Sequence, residues 1–215
     1  MMRNLLLSAA LAFGAAAFSQ SAPNVHELAQ RVDNHYNQLR SLRAGFVHRY
    51  QGMGLNRSES GTLLLQKPGR MRWDYSSPAG KLFLLDGKYA WTYSPGAAQV
   101  QRVPAKKLDD LRSPLGFLLG HTQLEKELTG LKATARPGGQ ILLTGVPRGQ
   151  QDRVDQVRLT VTAAGIITAI EIDENDGSVT SFAFSNEQPN AAVPADAFRF
   201  TPPKGVPVID GMPPM

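Results

Sequence analysis

The chain has 215 residues, of which 42% are hydrophobic and 19% are charged, a composition that excludes an intrinsically disordered protein. It contains no cysteine, which excludes disulfides, zinc–thiolate sites, cysteine nucleophiles and a lipid anchor on cysteine. The formal net charge of +5 is spread along the chain without a long basic run, and such a pattern is poor evidence for a nucleic-acid partner.

The first residues predict an export signal. Arg3 precedes the uncharged apolar segment Leu5–Phe18, and the small residues Ala17 and Ser19 suit a cleavage site. That segment is too short to span a bilayer, and no later segment approaches the length of a membrane helix. We therefore expect residues 1–19 to be a signal peptide and residues 20–215 to form one exported, soluble domain. A transmembrane anchor or a buried helix is the alternative.

One amphipathic helix is predicted next, over Asn24–Leu42. Asn24 can cap this helix, and Glu27 follows three residues later, as in a capping box. Apolar residues keep the spacing of one helical face at Val25, Leu28, Ala29, Val32, Tyr36, Leu39 and Leu42.

Short β-strands bounded by Pro-Gly, Asp-Gly and Ser-Pro turns follow the helix. The first series is predicted at Gly45–Gln51, Glu59–Gln66, Arg70–Tyr75, Lys81–Leu85, Tyr89–Tyr93 and Gln99–Val103. The second series is predicted at Leu131–Arg136, Ile141–Val146, Val154–Thr162, Ile166–Asp173 and Val179–Asn186. Strands this close together, without helices between them, indicate antiparallel hairpins.

Other segments separate and end these two series. The segment Leu108–Gly120 contains a predicted short helix, with Ser113 as its N-cap, Pro114 in its first turn and Gly120 as its C-cap. A helical turn is predicted at Pro194–Phe198. The chain closes with two segments on either side of a Pro-Pro-Lys-Gly turn, Phe198–Phe200 and Val206–Ile209.

The predicted strands differ in how many apolar faces they have. Met71, Trp73 and Tyr75 share one face of their strand, opposite Arg72 and Asp74, which is typical of a sheet with one wet face. Other strands are apolar on both faces, among them Leu63–Leu65, Leu82–Leu85, Ile141–Leu143 and Ile166–Ile172. Both faces of these strands need a cover.

The number of strands indicates a curled sheet with internal space. Eight strands that close into a barrel can already hold a small ligand, and about eleven enclose more room than side chains readily fill. The pattern therefore predicts a mainly β fold with helices, an incomplete antiparallel β-barrel of about eleven strands with a helical lid over an apolar lumen. An ordinary β-sandwich with a filled core is the alternative.

Motifs for catalysis or metal binding are lacking. His26 and His35 point in opposite directions on the predicted helix, and the sequence has no H-x-x-x-H, G-x-S-x-G, P-loop or G-x-G-x-x-G motif. The adjacent pair Asp109 and Asp110 suits a helix N-terminus better than a catalytic dyad. The acidic segment Asp173–Gly177 lacks the spacing of a calcium loop and predicts a hairpin turn. We therefore expect no enzyme, no metal and no cofactor.

Several segments together resemble a known family. They are F-x-H-R-Y-Q in Phe46–Gln51, G-T-L-L-L-Q-K-P-G-R-M-R-W-D-Y in Gly61–Tyr75, L-L-D-G-K-Y-A-W-T-Y-S-P in Leu84–Pro95, S-P-L-G-F-L-L-G in Ser113–Gly120 and F-R-F-T-P-P-K-G-V-P-V-I-D in Phe198–Asp210. Across almost all of the exported part, the sequence resembles the periplasmic outer-membrane lipoprotein carriers of the LolA family.

The resemblance implies a fold and a function. The fold is an incomplete barrel of about eleven antiparallel strands with a helical lid. Its lumen takes the acyl chains of lipoproteins that an inner-membrane ABC transporter releases. The carrier, a monomer without cofactor or catalysis, brings them through the periplasm to an outer-membrane receptor where one exists. A carrier or sensor of another lipid or glycolipid and an interaction protein with a filled core remain alternatives.

The resemblance also implies site residues. The acyl-chain-binding set is Met71, Trp73, Leu82, Leu84, Trp91, Tyr93, Leu115, Phe117 and Leu118. Where family members carry an Arg that latches the lid, this sequence has Lys67, a single-point donor without the Arg fork. Either Lys67 forms a weaker latch, or Arg70 or Arg72 substitutes for it. The remaining alternative is that Lys67 is only a solvated turn residue.

Overall fold

Helix α1 (Val25–Gln38) opens the part of the chain described by a computed structural model, residues 24–107 and 123–211. The Asn24 side chain accepts a hydrogen bond from the Glu27 amide at 3.3 Å, as the capping pattern predicts. The predicted end at Leu42 is wrong, because the chain turns extended at Leu39 and strand β1 begins at Ser41. Leu39 and Leu42 are nevertheless buried, so their apolar spacing served the core without a helix.

Within the described residues, twelve strands follow and form one sheet. The first six are β1 (Ser41–Gly52), β2 (Leu55–Gln66), β3 (Arg70–Ser77), β4 (Ala79–Leu85), β5 (Tyr89–Tyr93) and β6 (Val100–Pro104). A short helix α2 (Leu124–Glu127) precedes β7 (Leu128–Ala135), β8 (Ile141–Pro147), β9 (Val154–Val161), β10 (Ile167–Glu174), β11 (Val179–Pro189) and β12 (Val208–Asp210), and a 3-10 turn, Pro137–Gly139, links β7 to β8.

The strand order explains why the barrel is incomplete. It runs β12-β6-β5-β4-β3-β2-β1-β11-β10-β9-β8-β7, so within the described ranges β12 and β7 are unpaired edges. All pairs are antiparallel except β12 with β6, which is parallel. The predicted mainly β fold with an incomplete antiparallel barrel is confirmed, with one strand more than expected. The predicted signal peptide and the predicted short helix between Ser113 and Gly120 lie outside the described residues.

Two apolar clusters cover opposite faces of the sheet. We call the face that packs with α1 the inner face, and its cluster contains Leu28, Val32 and Tyr36 of the helix. A smaller cluster on the outer face joins Leu82 and Leu84 to the segment after β11. The expectation that strands with two apolar faces need two covers is met for β2 and β4. Neither described helix is long and apolar enough to cross a membrane.

Candidate functional site

An aromatic cluster lies on the inner face, formed by Phe46, Trp73, Tyr75, Phe182 and Phe184. Strand register brings these residues together, because Phe46 lies opposite Phe184 of β11 and Trp73 opposite Leu63 of β2. Ring centroids are 4.5 Å apart for Phe46 and Trp73 and 5.6 Å for Trp73 and Phe182. Trp73 is 2% exposed, and its indole Nε1 has no hydrogen-bond partner among the described residues. This surface is broad, apolar and carries one unused donor.

A polar cluster of Glu59, His48 and Lys81 ends this apolar surface. Lys81 Nζ donates to both carboxylate oxygens of Glu59 at 2.7 Å, and His48 Nδ1 lies 3.3 Å from Glu59 Oε2. The His48 ring stacks on Phe182 at 4.4 Å. Burial lowers the pKa of His48. Burial alone would raise the pKa of Glu59, but the hydrogen bond and charge of Lys81 hold it below its usual value.

Sequence reasoning missed this polar cluster, since its members lie far apart along three strands. A signal for it was present: His48 has the same strand parity as Phe46, and Glu59 the same parity as Leu63. Both side chains therefore had to share the inner face with apolar neighbours. Within the described ranges, no group of three or more possible metal ligands occurs.

Helix α1 is fastened over the inner face at its C-terminal end. Lys67 Nζ donates to the carbonyl oxygens of Tyr36 at 2.6 Å and of Asn37 at 3.1 Å, and burial lowers the pKa of Lys67. The Tyr36 hydroxyl donates to Glu187 Oε2 at 3.1 Å and accepts from the Ile167 amide at 2.9 Å. The Lys67 ammonium is favourable at the C-terminal end of α1, because the last carbonyls of a helix carry partial negative charge.

The rest of α1 is held by other contacts. Arg31 Nη1 donates to the Ala163 carbonyl at 3.1 Å. Gly165 has a φ of +87°, and a Cβ there would lie 2.6 Å from the Arg31 carbonyl carbon, so this turn approaches α1 as only glycine can. Asp33 Oδ1 accepts from the Leu124 amide at 3.1 Å. Burial, followed by the nearby charges of Glu127 and Glu125, raises the pKa of Asp33 to about 6.

The hydrogen bonds just described between α1 and the sheet all run through at least one side chain. The helix therefore adds no backbone ladder to the sheet. It covers an apolar surface that it could expose without unpairing a strand.

The structure divides the predicted acyl-chain-binding residues between the two faces. Met71 and Trp73 belong to the inner cluster. By contrast, β4 and β5 place four predicted residues on the outer face, namely Leu82, Leu84, Trp91 and Tyr93. Leu115, Phe117 and Leu118 lie outside the described residues.

The four outer-face residues have a different neighbour, the segment that follows β11. Phe200 lies 5.9 Å from the rings of both Trp91 and Tyr93. Phe198 joins the cluster of Leu82 and Leu84. The strand Leu82–Leu85 is apolar on both faces, and in Tyr89–Tyr93 alternation groups Trp91 with Tyr93 but does not show whether their face is the inner one. The structure thus places these four residues apart from Met71 and Trp73, and their part in acyl-chain binding stays a prediction.

The three predicted latch residues also separate. Lys67 contacts α1 as described above. Arg72 donates to Asp74 at 2.7 Å and to the carbonyls of Ala197 and Arg199 at 3.0 and 3.2 Å, so it fastens the segment on the outer face. The hydrogen bond found for Arg70 runs to Gln66 at 3.4 Å. Of the three, Lys67 is therefore the one positioned to latch α1.

A cavity of about 490 Å³ opens on the outer side of β8–β11. Its lining includes Arg49, Arg158, Thr160, Glu171 and Ser181. These groups suit water or an anion better than an acyl chain. The apolar inner face is thus the better candidate site, although in this state α1 occupies it.

Known proteins resemble this chain in sequence and fold. The sequence model of the family "Outer membrane lipoprotein carrier protein LolA" matches residues 37–201 of this chain. The "Outer-membrane lipoprotein carrier protein" of Chromobacterium violaceum is 30% identical over 207 residues, 96% of this chain and 97% of that protein.

Two solved structures share the fold at low identity. An uncharacterized conserved protein of Thermus thermophilus has a TM-score of 0.55 at 14% identity, over 86% of this chain and 98% of that one. The Mycobacterium tuberculosis lipoprotein LppX has a TM-score of 0.53 at 14% identity, over 80% and 98% of the two chains. The family match spans most of the sequence and agrees with the open barrel, and this chain therefore belongs to the LolA family of outer membrane lipoprotein carrier proteins.

Proposed function

We propose that this protein is a periplasmic chaperone that binds the acyl chains of lipoproteins on its inner face and carries them to the outer membrane, without catalysing a reaction. A lipoprotein-releasing ABC transporter of the inner membrane would load it, and an outer-membrane receptor would unload it. Residues 1–19 would direct export, and residues 20–215 would form the carrier domain. Family membership and the name of the Chromobacterium relative support the cargo.

The energetics of an acyl chain explain why a carrier needs a covered apolar surface. Each buried CH₂ contributes about 0.8 kcal/mol, so a 16-carbon chain costs roughly 12 kcal/mol to expose to water. Trp73 and Met71 are only 2% and 3% exposed, so the protein conceals this surface when it is empty. Acyl chains would enter as α1 moves away, and the inner face would then cover them instead of α1.

The observation that carries this proposal is the pairing of an aromatic inner face with a cover fastened through side chains. Lys67 would act as the latch, since its two hydrogen bonds end on the last turn of α1. The free Nε1 of Trp73 could donate to an ester carbonyl of the cargo, which would satisfy a donor that costs about 1–3 kcal/mol when left unpaired.

The two tryptophans of the chain provide the test, because Trp73 lies on the inner face and Trp91 on the outer face. A fatty acid brominated along its chain quenches tryptophan fluorescence at contact. We expect quenching in the Trp91→Phe protein, which keeps Trp73, and none in the Trp73→Phe protein. The same variants, mixed with membranes that contain a triacylated lipoprotein, should release it as a soluble one-to-one complex. Quenching of Trp91 alone, or of neither residue, would reject the inner face as the site.

A further inference from the structure

The tip of the β1–β2 hairpin exposes two large apolar side chains. Gly52 pairs with Leu55, so Met53 and Gly54 form a two-residue turn between two long strands. Met53 is 85% exposed and Leu55 is 66% exposed. Among the described residues, these are the most exposed large hydrophobic side chains.

The backbone of this turn does not favour methionine. Met53 has a φ of 49° and Gly54 a φ of 76°, so both residues are left-handed, as in a type I′ turn. Asn, Asp or Gly is preferred at the first of these positions, because a larger side chain is strained there. Met53 therefore combines backbone strain with an apolar side chain that gains nothing from the fold. Such a residue is explained by something that it contacts outside the chain.

Along β1 and β2 the residues behind the tip are basic and aromatic, and the neighbouring β10–β11 turn adds one acidic residue, Asp176, which accepts a hydrogen bond from the Ser178 amide. Arg49 and Arg57 flank the tip, and no acidic residue occurs between them. The Arg57 guanidinium lies 5.9 Å from the centre of the Tyr50 ring. Glu59, the next acidic residue along the sequence, is buried and paired with Lys81 at 2.7 Å, and its Oε1 lies 3.8 Å from Nε of Arg57, whose side chain is 60% exposed. An apolar end followed by an aromatic ring and cations is the arrangement of segments that enter the interface of an anionic bilayer.

We propose that the β1–β2 tip inserts Met53 and Leu55 into the surface of an anionic lipid bilayer. A lipid surface fits better than a protein, because a two-residue tip offers far less than the ~800 Å² that each partner buries in a standard protein interface. The tip also lies at the opposite end of β2 from Lys67, roughly 40 Å along a twelve-residue strand. Docking would therefore bring the carrier to a membrane and leave the α1 latch undisturbed.

A single fluorophore tests the insertion directly, because the chain has no cysteine of its own. Met53→Cys is labelled with the environment-sensitive dye NBD and mixed with vesicles of phosphatidylethanolamine and phosphatidylglycerol. We expect a blue shift that weakens as salt is added or as phosphatidylcholine replaces the anionic mixture. The same dye on Thr134→Cys, an exposed site on the edge strand β7, should not shift.

Unlabelled variants separate insertion from folding. Met53→Asn and Leu55→Asn should each lower the fraction that floats with anionic vesicles by about tenfold, since each removes one apolar side chain. Met53→Asn should melt at or above the temperature of the wild type, because Asn tolerates the left-handed turn. Val208→Asn, at an exposed apolar site on β12, should float like the wild type.

Three results would overturn the proposal. The first is failure of the wild-type protein to float with anionic vesicles, and the second is flotation of the Met53→Asn and Leu55→Asn proteins as strong as that of the wild type. A photo-crosslinker at position 53 that labels a protein and no lipid would also overturn it. None of these assays uses an acyl-chain cargo. Failure here would therefore leave the quenching of Trp73 by brominated fatty acid unaffected, and the two proposals can fail separately.

Discussion

The two covers lie on opposite faces of the same sheet and are attached differently. On the inner face, the contacts of α1 with the sheet run through side chains such as Lys67 and Tyr36. On the outer face, the C-terminal segment forms backbone bonds as β12, with Val100 donating to the Pro207 carbonyl at 2.9 Å. Leaving the inner face costs side-chain hydrogen bonds and the burial of Leu28, Val32 and Tyr36, but it breaks no strand pairing, whereas leaving the outer face also unpairs β12. The inner cover is therefore the one suited to move.

The largest expected effect on stability comes from shortening one fully buried leucine to alanine on each face of the sheet. Leu63 on the inner face and Leu84 on the outer face are both 0% exposed, and either change to Ala should cost about 2–5 kcal/mol in the free energy of unfolding. Only Leu63→Ala should also weaken the quenching of Trp73 by brominated fatty acid, because Leu63 lies opposite Trp73. Urea denaturation and quenching titrations measure the two effects. If Leu84→Ala weakened quenching equally, the faces would not be separate.

The next effect concerns the latch. Lys67→Met keeps the apolar stem but removes both hydrogen bonds to α1, and should cost about 1–2 kcal/mol because the ammonium is partly exposed. Amide hydrogen exchange should accelerate in α1 more than in β6, and the brominated fatty acid should enter faster. Lys67→Arg, which adds a planar fork, should slow its entry.

Arg70→Met is the matched control for the latch, because Arg70 stands nearby and its hydrogen bond runs to Gln66. It should leave the exchange of α1 unchanged. Equal exchange in the Lys67→Met and wild-type proteins would show that Lys67 does not hold the helix.

Short sequence patterns predicted most of the helix and strand positions, because helix caps and turns depend on neighbouring residues. The cap at Asn24 and the turns that bound the strands depend on residues a few positions apart. The end of α1 was mispredicted, since Leu39 and Leu42 satisfy a helical stripe and a buried strand equally well. The pairing of β12 with β6 could not be inferred, because it joins segments about 100 residues apart in the sequence.

The candidate site was harder to predict than the fold. Alternation shows that Trp73 and Arg72 face opposite ways, but it does not tell which face is the inside. Leu82 and Trp91, on the outer face, were therefore included in the predicted set. The C-terminal segment that packs on them is distant in the sequence, so its contact with them was not foreseen. The cluster of Glu59 and Lys81 was missed because charged residues usually indicate solvent, and only the three-dimensional register pairs them inside.

The smallest expected effect tests whether the contribution of α1 to the free energy of unfolding depends on pH. The pKa of Asp33 in the folded protein is about 6, above its ordinary value of 3.8, so the folded state binds the extra proton between these values. Its contribution to stability is therefore present at pH 4, falls as the pH rises toward 6, and stays low above that. Asp33→Asn removes the charge and keeps an oxygen that can accept from the Leu124 amide.

Asp33→Asn should therefore be more stable than the wild type above pH 6, by about 1 kcal/mol since the carboxyl is only half-buried, and equal to it near pH 4. Urea denaturation across this pH range measures the difference. Asp74→Asn is the control on the outer face, where the loss of the carboxylate that Arg72 contacts should bring no gain at neutral pH. A stability difference for Asp33→Asn that grew toward low pH would contradict the prediction. The predicted pattern would instead mean that the half-buried charge of Asp33 weakens the attachment of α1 at neutral pH, and that no such charge weakens the outer cover.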